Sequence, residues 1–419
     1  MNLIFKNAVI VDKNSPYNMQ AKDIQVENGI IKKIDTVIND VGYEVISLNN
    51  LHISTGWFDS SVNFGEPGYE DRETIANGLD VAAKSGFTDV ALQPTANPVA
   101  DKQADIAFLV NKAQHTATAL HPIGALTKES AGKDLAELYD MKNAGAIAFG
   151  DYNKPLADAN LMKIALQYVQ DFDGLVIAFS QDEKIKGKGV VHEGIVSTRL
   201  GLKGIPALAE ELQIARNLYL LEYTGGKLHI PTISTARSVQ LIKEAKQKGL
   251  TVTCSVAVHN LLLTDDVLEE FDSRYKVAPP LRTKAERKAL VDGVLDGTID
   301  IITTDHYPVD IENKKLEFDL AKDGTLGFES AFGALMKMLP LEVIVDKLTA
   351  AGPVFGFAGN TITEGVNASF TLFNPGGNWT FSRRDILSKS KNSAFLGQEL
   401  TGRAYGIYNR DKLILNTAK

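Results

Sequence analysis

Both ends of the chain carry short runs in which apolar and polar residues alternate. A period of two is typical of β-strands that bury one face. The runs near the start are separated by turn residues, for example Asn28-Gly29, a pair that favours a tight hairpin. Similar runs return late in the chain, at 368–374, 404–409 and 412–416. We therefore predict one small β-sandwich built from both ends, with residues 1–50 and 362–419 as its two parts.

The middle of the chain, residues 51–361, alternates between apolar runs of strand length and amphipathic stretches. The stretches at 74–86 and 235–249 place apolar residues at helical spacing. The apolar runs are 51–58, 87–93, 117–126, 145–150, 174–180, 227–233, 250–256 and 299–305. Eight strand–helix repeats predict an α/β fold of the (β/α)8 type, a TIM-like barrel. A doubly wound open sheet is the alternative, but it usually carries a Gly-rich phosphate loop, and this sequence has none.

Long connections follow three of the predicted strands, at 181–204, 257–282 and 305–328. In a barrel of this kind the loops after the strands lie together at one face, and functional side chains are found there. We therefore expect that face to be rich in loops and to hold any functional site.

Composition and charge narrow the class of protein. The 419 residues carry a net charge of −8, which argues against nucleic acid as a partner. The single cysteine, Cys254, excludes an intramolecular disulfide and a cysteine-rich zinc site. No apolar run has the length of a membrane span, and the first residues lack a signal-peptide pattern. These features predict a soluble cytoplasmic protein without a membrane partner.

Sequence motifs with sensible spacing follow one another along nearly the whole chain. They are GWFDSSVNFGEPG (56–68), GALTK (124–128), GAIAFGDYNKP (145–155), HEG (192–194), LGLKGIPALAEE (200–211), KLHIPTIST (227–235), VAPPLR (277–282), DGTIDIITTDHYP (296–308) and GTLGFESA (324–331). In this order they resemble the amidohydrolase superfamily, and within it the dihydroorotases of the bacterial and multifunctional-complex type. The resemblance implies the same barrel fold and descent from hydrolases that act on cyclic amides.

The resemblance also implies where a metal site would lie. Active members of this family hold two zinc ions, with a His-x-His after the first barrel strand and further ligands after later strands. The corresponding positions here are Ser61, Asn63, Asp151, Phe179, Thr232 and Asp305. Every family histidine is replaced, and Phe179 offers no lone pair to a metal. We therefore expect no zinc, with an all-oxygen site for Mg²⁺ or Ca²⁺ as a weak alternative.

The positions that the family uses for substrate have changed as well. Where the resemblance implies an arginine, two asparagines and a histidine, this chain has Gly65, Thr95, Ala278 and Val309. An arginine fork binds a carboxylate through two hydrogen bonds, and glycine removes both its charge and its geometry. Asp305 alone keeps a catalytic identity, as a vestigial proton shuttle.

Several other polar residues are predicted to have structural roles. Asp59 and Arg282 match family support positions, and we expect them to be buried or paired beneath the functional face. None of the seven histidines falls on a ligand position: His52, His115, His121, His192, His229, His259 and His306. The first three are predicted to be structural or exposed, and His229 to support packing. His259 and His306 lie at the functional face, where a non-catalytic role is favoured.

The resemblance leaves three functions to compare. The first is a catalytically inactive dihydroorotase homologue that acts as a structural or regulatory partner of aspartate transcarbamoylase in pyrimidine biosynthesis. The second is an active cyclic-amide hydrolase with an atypical or single metal. The third is a homo-oligomeric scaffold similar to the inactive dihydropyrimidinase-like proteins. We also predict that the chain forms a homo-oligomer.

Overall fold

A computed structural model of the chain describes residues 1–416, so the last three residues of the predicted C-terminal part, 417–419, lie outside the described residues. Within residues 1–416 the strands are β1 (Asn2–Ile10), β2 (Ala21–Glu27), β3 (Ile30–Asp35), β4 (Glu44–Ile46), β5 (His52–Thr55), β6 (Trp57–Val62), β7 (Phe87–Leu92), β8 (Ala119–Gly124), β9 (Ala148–Phe149), β10 (Val176–Ile177), β11 (Val191–His192), β12 (Gly204–Ile205), β13 (Leu228–Ile230), β14 (Val252–Ala257), β15 (Ile301–Thr303), β16 (Phe370–Thr380), β17 (Glu399–Asn409) and β18 (Lys412–Leu415).

The helices occur mainly between the strands of the middle region. In the same described part of the chain they are α1 (Ile75–Lys84), α2 (Gln103–Lys112), α3 (Leu138–Ala144), α4 (Ala159–Tyr168), α5 (Glu183–Lys186), α6 (Ile195–Leu200), α7 (Ala207–Thr224), α8 (Ala236–Gln247), α9 (Val258–Leu262), α10 (Lys284–Leu295), α11 (Ile311–Lys314), α12 (Phe328–Leu335), α13 (Leu341–Thr349) and α14 (Ala351–Val354). None of these helices is both long and apolar enough to cross a lipid bilayer.

Between residues 57 and 303 eight parallel strands form the predicted barrel. Their order is β6-β7-β8-β9-β10-β13-β14-β15, the order of the chain. The sheet closes where the Asn63 N–H donates to the His306 carbonyl at 2.8 Å, beside a parallel bridge between Val62 and His306. The α/β barrel prediction is therefore confirmed, and the open-sheet alternative is wrong.

Two apolar layers hold the barrel together. Its interior is filled by Phe58, Ile123, Ile177 and Ile301, together with Phe355 from the segment after α14. The larger core lies between the outer faces of the strands and the surrounding helices. Several helices begin at hydroxyl caps, which the sequence supplies directly before the apolar pattern: Thr74 accepts from the Asn77 N–H, and Thr235 from the Ser238 N–H.

The first predicted strand, 51–58, is divided in the structure. Residues His52–Thr55 form β5 and pair with β1 and β16 in the terminal sheet, whereas the first barrel strand is β6. Gly56 lies between the two strands, where the backbone passes close to Thr88. A Cβ atom at Gly56 would lie 2.1 Å from the Thr88 hydroxyl oxygen, so only glycine fits there. The terminal sheet therefore extends past residue 50, and the first barrel strand continues to Val62.

Strands from both ends of the chain meet in one sheet, as the patterns at the ends predicted. The order β18-β17-β16-β5-β1-β2-β3, with β4 paired to β1, joins them through continuous hydrogen bonding. Phe5, Phe370 and Tyr408 pack edge-on or tilted against one another in its core. The division of these strands into a two-layer sandwich remains a prediction.

Candidate functional site

Asp305 lies at the centre of the barrel face where the strands end. It follows β15 directly and accepts hydrogen bonds from the Ser61 hydroxyl at 3.0 Å and the Tyr152 hydroxyl at 3.1 Å. Its side chain is buried, and this loss of solvent raises the pKa of the Asp305 carboxyl to about 7, with a smaller contribution from the negative charge of Asp59. Asp305 is therefore partly protonated at neutral pH.

Three residues at this face have a left-handed backbone that side chains other than glycine rarely adopt. The φ angles are +53° at Tyr152, +47° at Thr232 and +46° at Asp305. Each of these residues comes shortly after a barrel strand. Such conformations cost on the order of 1–3 kcal/mol each and are found mostly at functional sites. The backbone thus has a conformation typical of a functional site, although the side chains differ from the metal ligands of active family members.

Ser61 and Asn63, at the two positions expected to carry His-x-His, are both hydrogen-bonded. Ser61 accepts from the Gln93 amide at 3.2 Å while it donates to Asp305. The side-chain oxygen of Asn63 accepts from the Thr95 hydroxyl at 2.7 Å. Asn63, a predicted metal-ligand position, is therefore hydrogen-bonded to Thr95, a predicted substrate position.

Asp151, one of the predicted ligand positions, does not join this group, because both of its carboxylate oxygens accept hydrogen bonds from residues 126–127. One carboxylate oxygen accepts from the Leu126 and Thr127 N–H groups, at 3.0 and 3.1 Å, and the other from the Thr127 hydroxyl at 2.6 Å. Its neighbour Tyr152 occupies the space instead. The Tyr152 ring packs edge-on against Tyr307, with centroids 5.7 Å apart.

The space left at the centre of the face is very small. Two cavities remain, each of about 10 Å³, which is room for about one water molecule. Ligand pockets in proteins usually measure about 300–1,000 Å³. The cavity beside β6 is lined by Ser61, Gln93, Tyr152, Asn153, Ile177, Phe179, Pro231, Thr232 and Ala278. Side chains of the protein thus fill the volume that a ring-shaped substrate would need.

The residues present do not fit a pair of zinc ions. Zinc in proteins is held by imidazole, thiolate and carboxylate ligands. Of these groups, the two cavities are lined by the carboxylates of Asp305 and Asp323 and the imidazole of His259. Phe179 presents a ring without a lone pair, and Ser61 and Tyr152 donate their protons to Asp305. In residues 1–416 no group of three or more His, Cys, Asp or Glu side chains is close enough to hold a metal ion.

At Gly65, where the family has an arginine, the surrounding backbone leaves no space for a side chain. The Gly65 carbonyl accepts from the Tyr69 N–H at 2.7 Å, and the Gly65 N–H donates to the Glu73 carbonyl at 2.9 Å. A Cβ atom at Gly65 would lie 1.8 Å from the Tyr69 carbonyl oxygen. No side chain fits there unless the loop moves. At Val309, another predicted substrate position, the side chain is buried and the N–H donates to the Asn392 side-chain oxygen.

A dense hydrogen-bond network lies directly beneath the cavity and centres on Asp59. This buried carboxylate accepts from the hydroxyls of Thr303 and Thr304, and from the N–H groups of Ser61 and Thr304 at 3.2 Å. Burial raises the pKa of Asp59 to about 6, although the hydrogen bonds oppose the rise. The prediction of a support role for Asp59 is confirmed, since it ties β6 to the end of β15.

Arg282 is the centre of a second buried network. Its guanidinium donates to Ser234 and His192 at 3.0 Å each, and its nearest contact to Glu210 is 3.5 Å. Glu210 in turn accepts from the N–H groups of Ser234 and Thr235. The prediction that Arg282 is buried and paired is confirmed.

His229, His259 and His306 are buried, and their non-catalytic role remains a prediction. His229 is buried and bonded to Thr253 and Ser255. His306 stacks on Phe328 and its Nδ1 accepts from the Gly327 N–H at 3.2 Å. His259 is buried beside the cavity, and burial lowers its pKa to about 3, so the ring is neutral.

Sequence reasoning missed Tyr152 and Gln93, which take part in the hydrogen bonding at the cavity. The signal for Tyr152 is strand alternation: Ala148 of β9 lies in the barrel interior, and side chains two and four residues later project to the same side. This parity selects residue 152 rather than 151. Gln93 directly follows β7, at the face where functional side chains are expected.

Comparisons with known proteins agree with the fold and with the motifs. The model of a family described as Dihydro-orotase-like matches residues 52–238. The dihydroorotase of Pelotomaculum thermopropionicum is 40% identical over 409 residues, which is 96% of this chain and 96% of that protein. The chain belongs to the dihydroorotase family. The dihydroorotase of Geotalea daltonii is 37% identical over 96% of this chain and 97% of that protein.

Solved structures support the same architecture at much lower identity. An L-hydantoinase (dihydropyrimidinase) from Arthrobacter aurescens superimposes with a TM-score of 0.87 at 20% identity, covering all of this chain and 97% of the other. A D-hydantoinase (dihydropyrimidinase) from Thermus sp. gives a TM-score of 0.83 at 21% identity, covering 100% and 96%. At this identity the likeness establishes the amidohydrolase barrel fold alone.

Proposed function

We propose that this member of the dihydroorotase family does not hydrolyse a cyclic amide and acts instead as a structural partner of aspartate transcarbamoylase in pyrimidine biosynthesis. The observation that carries the loss of catalysis is the filled cavity. Tyr152 occupies it, bonded to Asp305, and leaves about 10 Å³ where a substrate ring and activated water would be required.

The chemistry left to Asp305 supports this proposal. In the family's reaction a metal lowers the pKa of a water molecule and an aspartate moves the proton. Here Ser61 and Tyr152 already donate to Asp305, and the raised pKa keeps the carboxyl partly protonated at neutral pH. A carboxyl without an activated water nearby has no nucleophile to generate.

The partner is proposed from family membership. Inactive dihydroorotase homologues can serve an assembly through their surface, and this chain matches its relatives over 96% of its length, so the whole framework is present. The buried networks at Asp59 and Arg282 support retention of a stable barrel.

Co-purification from the native host tests the partner. We expect aspartate transcarbamoylase to elute with the full-length protein at constant stoichiometry. Recovery of the chain without that enzyme, from cells that contain it, would contradict the structural-partner role.

Hydrolysis of dihydroorotate is a second candidate because relatives up to 40% identical carry the name dihydroorotase. Purified protein should be assayed with dihydroorotate and added Zn²⁺, Mn²⁺ or Mg²⁺, beside an Asp305→Asn control. We expect the wild type and the control to give the same background rate. Turnover that depends on Asp305 would favour the hydrolase.

A homo-oligomeric scaffold is a third candidate, since proteins named dihydropyrimidinase have the same fold. It requires a stable homo-oligomer that performs its role without the transcarbamoylase. The co-purification experiment separates it from the first proposal.

A further inference from the structure

A much larger cavity lies at the rim of the same barrel face, and we call it the rim cavity. Its volume is about 750 Å³, within the range of about 300–1,000 Å³ that is usual for ligand pockets. Barrel loops form one side of it: Asp71 follows β6, residues 272–274 follow β14, and residues 309–315 follow β15. The other side is formed by Arg383 and residues 389–392, from the segment that connects β16 to β17.

The rim cavity is separate from the filled centre of the barrel. Within residues 1–416 it has no lining residue in common with the two small cavities around Asp305. Of the positions that the resemblance assigns to substrate, only Val309 borders it, and that side chain is 2% exposed. The filling of the central cavity by Tyr152 therefore leaves the rim cavity open.

Basic side chains dominate the lining of the rim cavity. They are Arg274, Lys314, Lys315, Arg383, Lys389 and Lys391. Arg274 pairs with Asp272 at 2.6 Å. Lys314 is buried and donates to three backbone carbonyls at 2.8 to 3.0 Å, and burial lowers its pKa to about 7, so its charge is only partly present. The other four are exposed, and in the described part of the chain none of them forms a salt bridge.

The positive charge of these four side chains is not neutralised by carboxylates. Lys389 donates to the Glu70 carbonyl at 2.6 Å, and Lys391 donates to the carbonyls of Ile386 and Ser388 at 2.9 and 2.7 Å. A carbonyl oxygen accepts the hydrogen bond but carries no net charge. Among the contacts of residues 1–416, the side chains of Lys315 and Arg383 have no hydrogen bond at all, so both can turn towards a ligand.

The acidic residues of the rim cavity leave an excess of positive charge. Asp272 is paired with Arg274, and Asp310 accepts from the Arg72 guanidinium at 3.0 Å. Only Asp71 and Glu312 add negative charge without a salt bridge within residues 1–416, against the four unpaired cations. The cavity is thus locally positive in a chain whose net charge is −8. A cleft lined by one sign of charge concentrates ligands of the opposite sign.

The segment that carries two of the lysines is fixed against the barrel loops. The Asn392 amide donates to the carbonyls of Tyr307 and Gly324 at 3.1 and 3.2 Å, and the Ser390 hydroxyl donates to the Arg72 carbonyl at 2.8 Å. A site that is ordered before binding saves the cost of ordering it. The exposed Ile311 adds an apolar surface for an organic group.

The place of the rim cavity in the barrel agrees with this charge. Strands β14 and β15 are the seventh and eighth strands of the barrel, and the loops that follow them form one wall. In barrels of this type the loops after these two strands frequently form a phosphate-binding site. Arginine binds phosphate through two parallel hydrogen bonds, and lysine binds it as a point charge.

We propose that the rim cavity binds a small phosphate-bearing anion with at least two negative charges. A nucleoside diphosphate and an inorganic polyphosphate share this chemistry. The site is independent of the proposed loss of catalysis and of the proposed partner, because it depends on none of the residues that fill the central cavity.

Isothermal titration of the full-length protein at low salt tests the proposal with three probes. We expect adenosine diphosphate and pyrophosphate to bind at micromolar concentration and adenosine, which lacks the phosphates, not to bind. Tighter binding of adenosine diphosphate than of pyrophosphate would identify an organic phosphate as the ligand, and equal binding would identify the phosphates alone. Both affinities should fall as salt is added, because salt screens exposed charges.

A pair of double variants with the same change in charge tests the residues. Lys315→Glu, Arg383→Glu should raise the Kd for pyrophosphate at least about ten-fold, since a hydrogen bond to a charged group is worth that much or more. Lys322→Glu, Arg384→Glu is the matched control, because both residues are exposed and neither lines the cavity. It should leave the Kd within about two-fold of wild type, since distant exposed charges are screened. Both variants should keep the melting temperature and circular dichroism of wild type.

Acetylation of lysines, measured by mass spectrometry, locates the ligand in the wild-type protein. Adenosine diphosphate should protect Lys315 and Lys389 and leave Lys322 as reactive as in the free protein. Failure of both phosphates to bind, equal losses in the two double variants, or no protection of Lys315 would each overturn the proposal. An acidic peptide that binds where pyrophosphate does not would also overturn it and would assign the rim cavity to a protein partner.

Discussion

The cavity at the end of the barrel has lost the residues that active family members use there, whereas the hydrogen-bond networks of Asp59 and Arg282 are intact. At the cavity, Ser61, Tyr152 and Asp305 bind one another and leave space for about one water molecule. Asp59, below it, joins two strands through four donors, and Arg282 joins Ser234 to His192 of β11. The fold depends on the lower networks, whereas hydrolysis would depend on the cavity, so one can change while the other remains.

The backbone around the cavity also has the conformation expected of a functional site. Thr232 is β-branched, yet it keeps φ at +47°, and Asp305 keeps +46°. This strain persists because the surrounding barrel imposes it. The comparison therefore predicts that the frame of a metal site remains and that its side chains are what is missing.

Restoring the side chains is the strongest way to test that comparison. A variant with Ser61→His, Asn63→His, Tyr152→Asp, Phe179→His and Thr232→His should bind zinc at least about 1,000-fold more tightly than wild type, since loss of even one outer-shell partner commonly costs 10–100-fold. Isothermal titration with Zn²⁺ measures the difference. The same variant with Asp305→Ala is the control and should bind more weakly. If the restored variant binds no better than wild type, the frame is not preserved.

Removing the central carboxylate of the lower network should be strongly destabilising. Asp59→Ala removes the acceptor shared by two buried hydroxyls and two N–H groups, and we expect a loss of about 3 kcal/mol in the free energy of unfolding. Ser61→Ala, at the cavity, is the matched control and should cost about 1 kcal/mol or less. Urea denaturation of both variants measures the two losses. Equal losses would contradict the distinction between the two regions.

Asp305 should make stability depend on pH in a defined direction. Its pKa is raised from 3.8 to about 7 in the folded state, so the folded protein holds this proton more tightly than the unfolded chain. The resulting contribution to stability is fully present below pH 3.8, falls as the pH rises towards 7, and is absent above that range. We expect Asp305→Asn to stabilise the protein by about 2 kcal/mol at pH 8, within the limit of about 4 kcal/mol set by the shift, and to have little effect at pH 3.5.

Urea denaturation of wild type and Asp305→Asn across that pH range checks the direction. A variant that is less stable than wild type at pH 8 would show that the ionised carboxylate is favourable in its site.

The smallest expected effect concerns the hydroxyl of Tyr152. Tyr152→Phe keeps the ring that fills the cavity and removes one hydrogen bond to Asp305, which should cost about 1 kcal/mol at pH 8. Tyr152→Ala also removes the ring, and its cost should be about 3 kcal/mol or more. Thermal unfolding of the two variants separates the contribution of the hydrogen bond to stability from the contribution of the ring that fills the cavity. Equal losses would mean that the ring does not support the site.

The sequence allowed the barrel, the order of its strands and most of the cavity positions to be predicted. Strand-length apolar runs and helical stretches determine the repeat, and barrel geometry then places Ser61, Asn63, Thr232 and Asp305 at one face. Three features depended on tertiary contacts that the pattern does not contain. Gly56 divides a continuous apolar run because it lies against Thr88.

The other two features are at the cavity. Asp151 is turned towards the backbone of residues 126–127, so its neighbour Tyr152 faces Asp305. Gly65 is enclosed by the loop through Tyr69 and Glu73. Motif matching assigned both positions by their spacing along the chain, but close contacts between loops decide which side chain enters the cavity.

Elemental analysis of the full-length protein, purified without chelators and dialysed against zinc-containing buffer, tests the central claim most directly. A cavity filled by Tyr152, where no three His, Cys, Asp or Glu side chains of residues 1–416 lie close enough to hold a metal ion, predicts that no stoichiometric zinc remains after removal of free metal. Retention of one or two zinc ions per chain, lost in Asp305→Ala, would contradict the account.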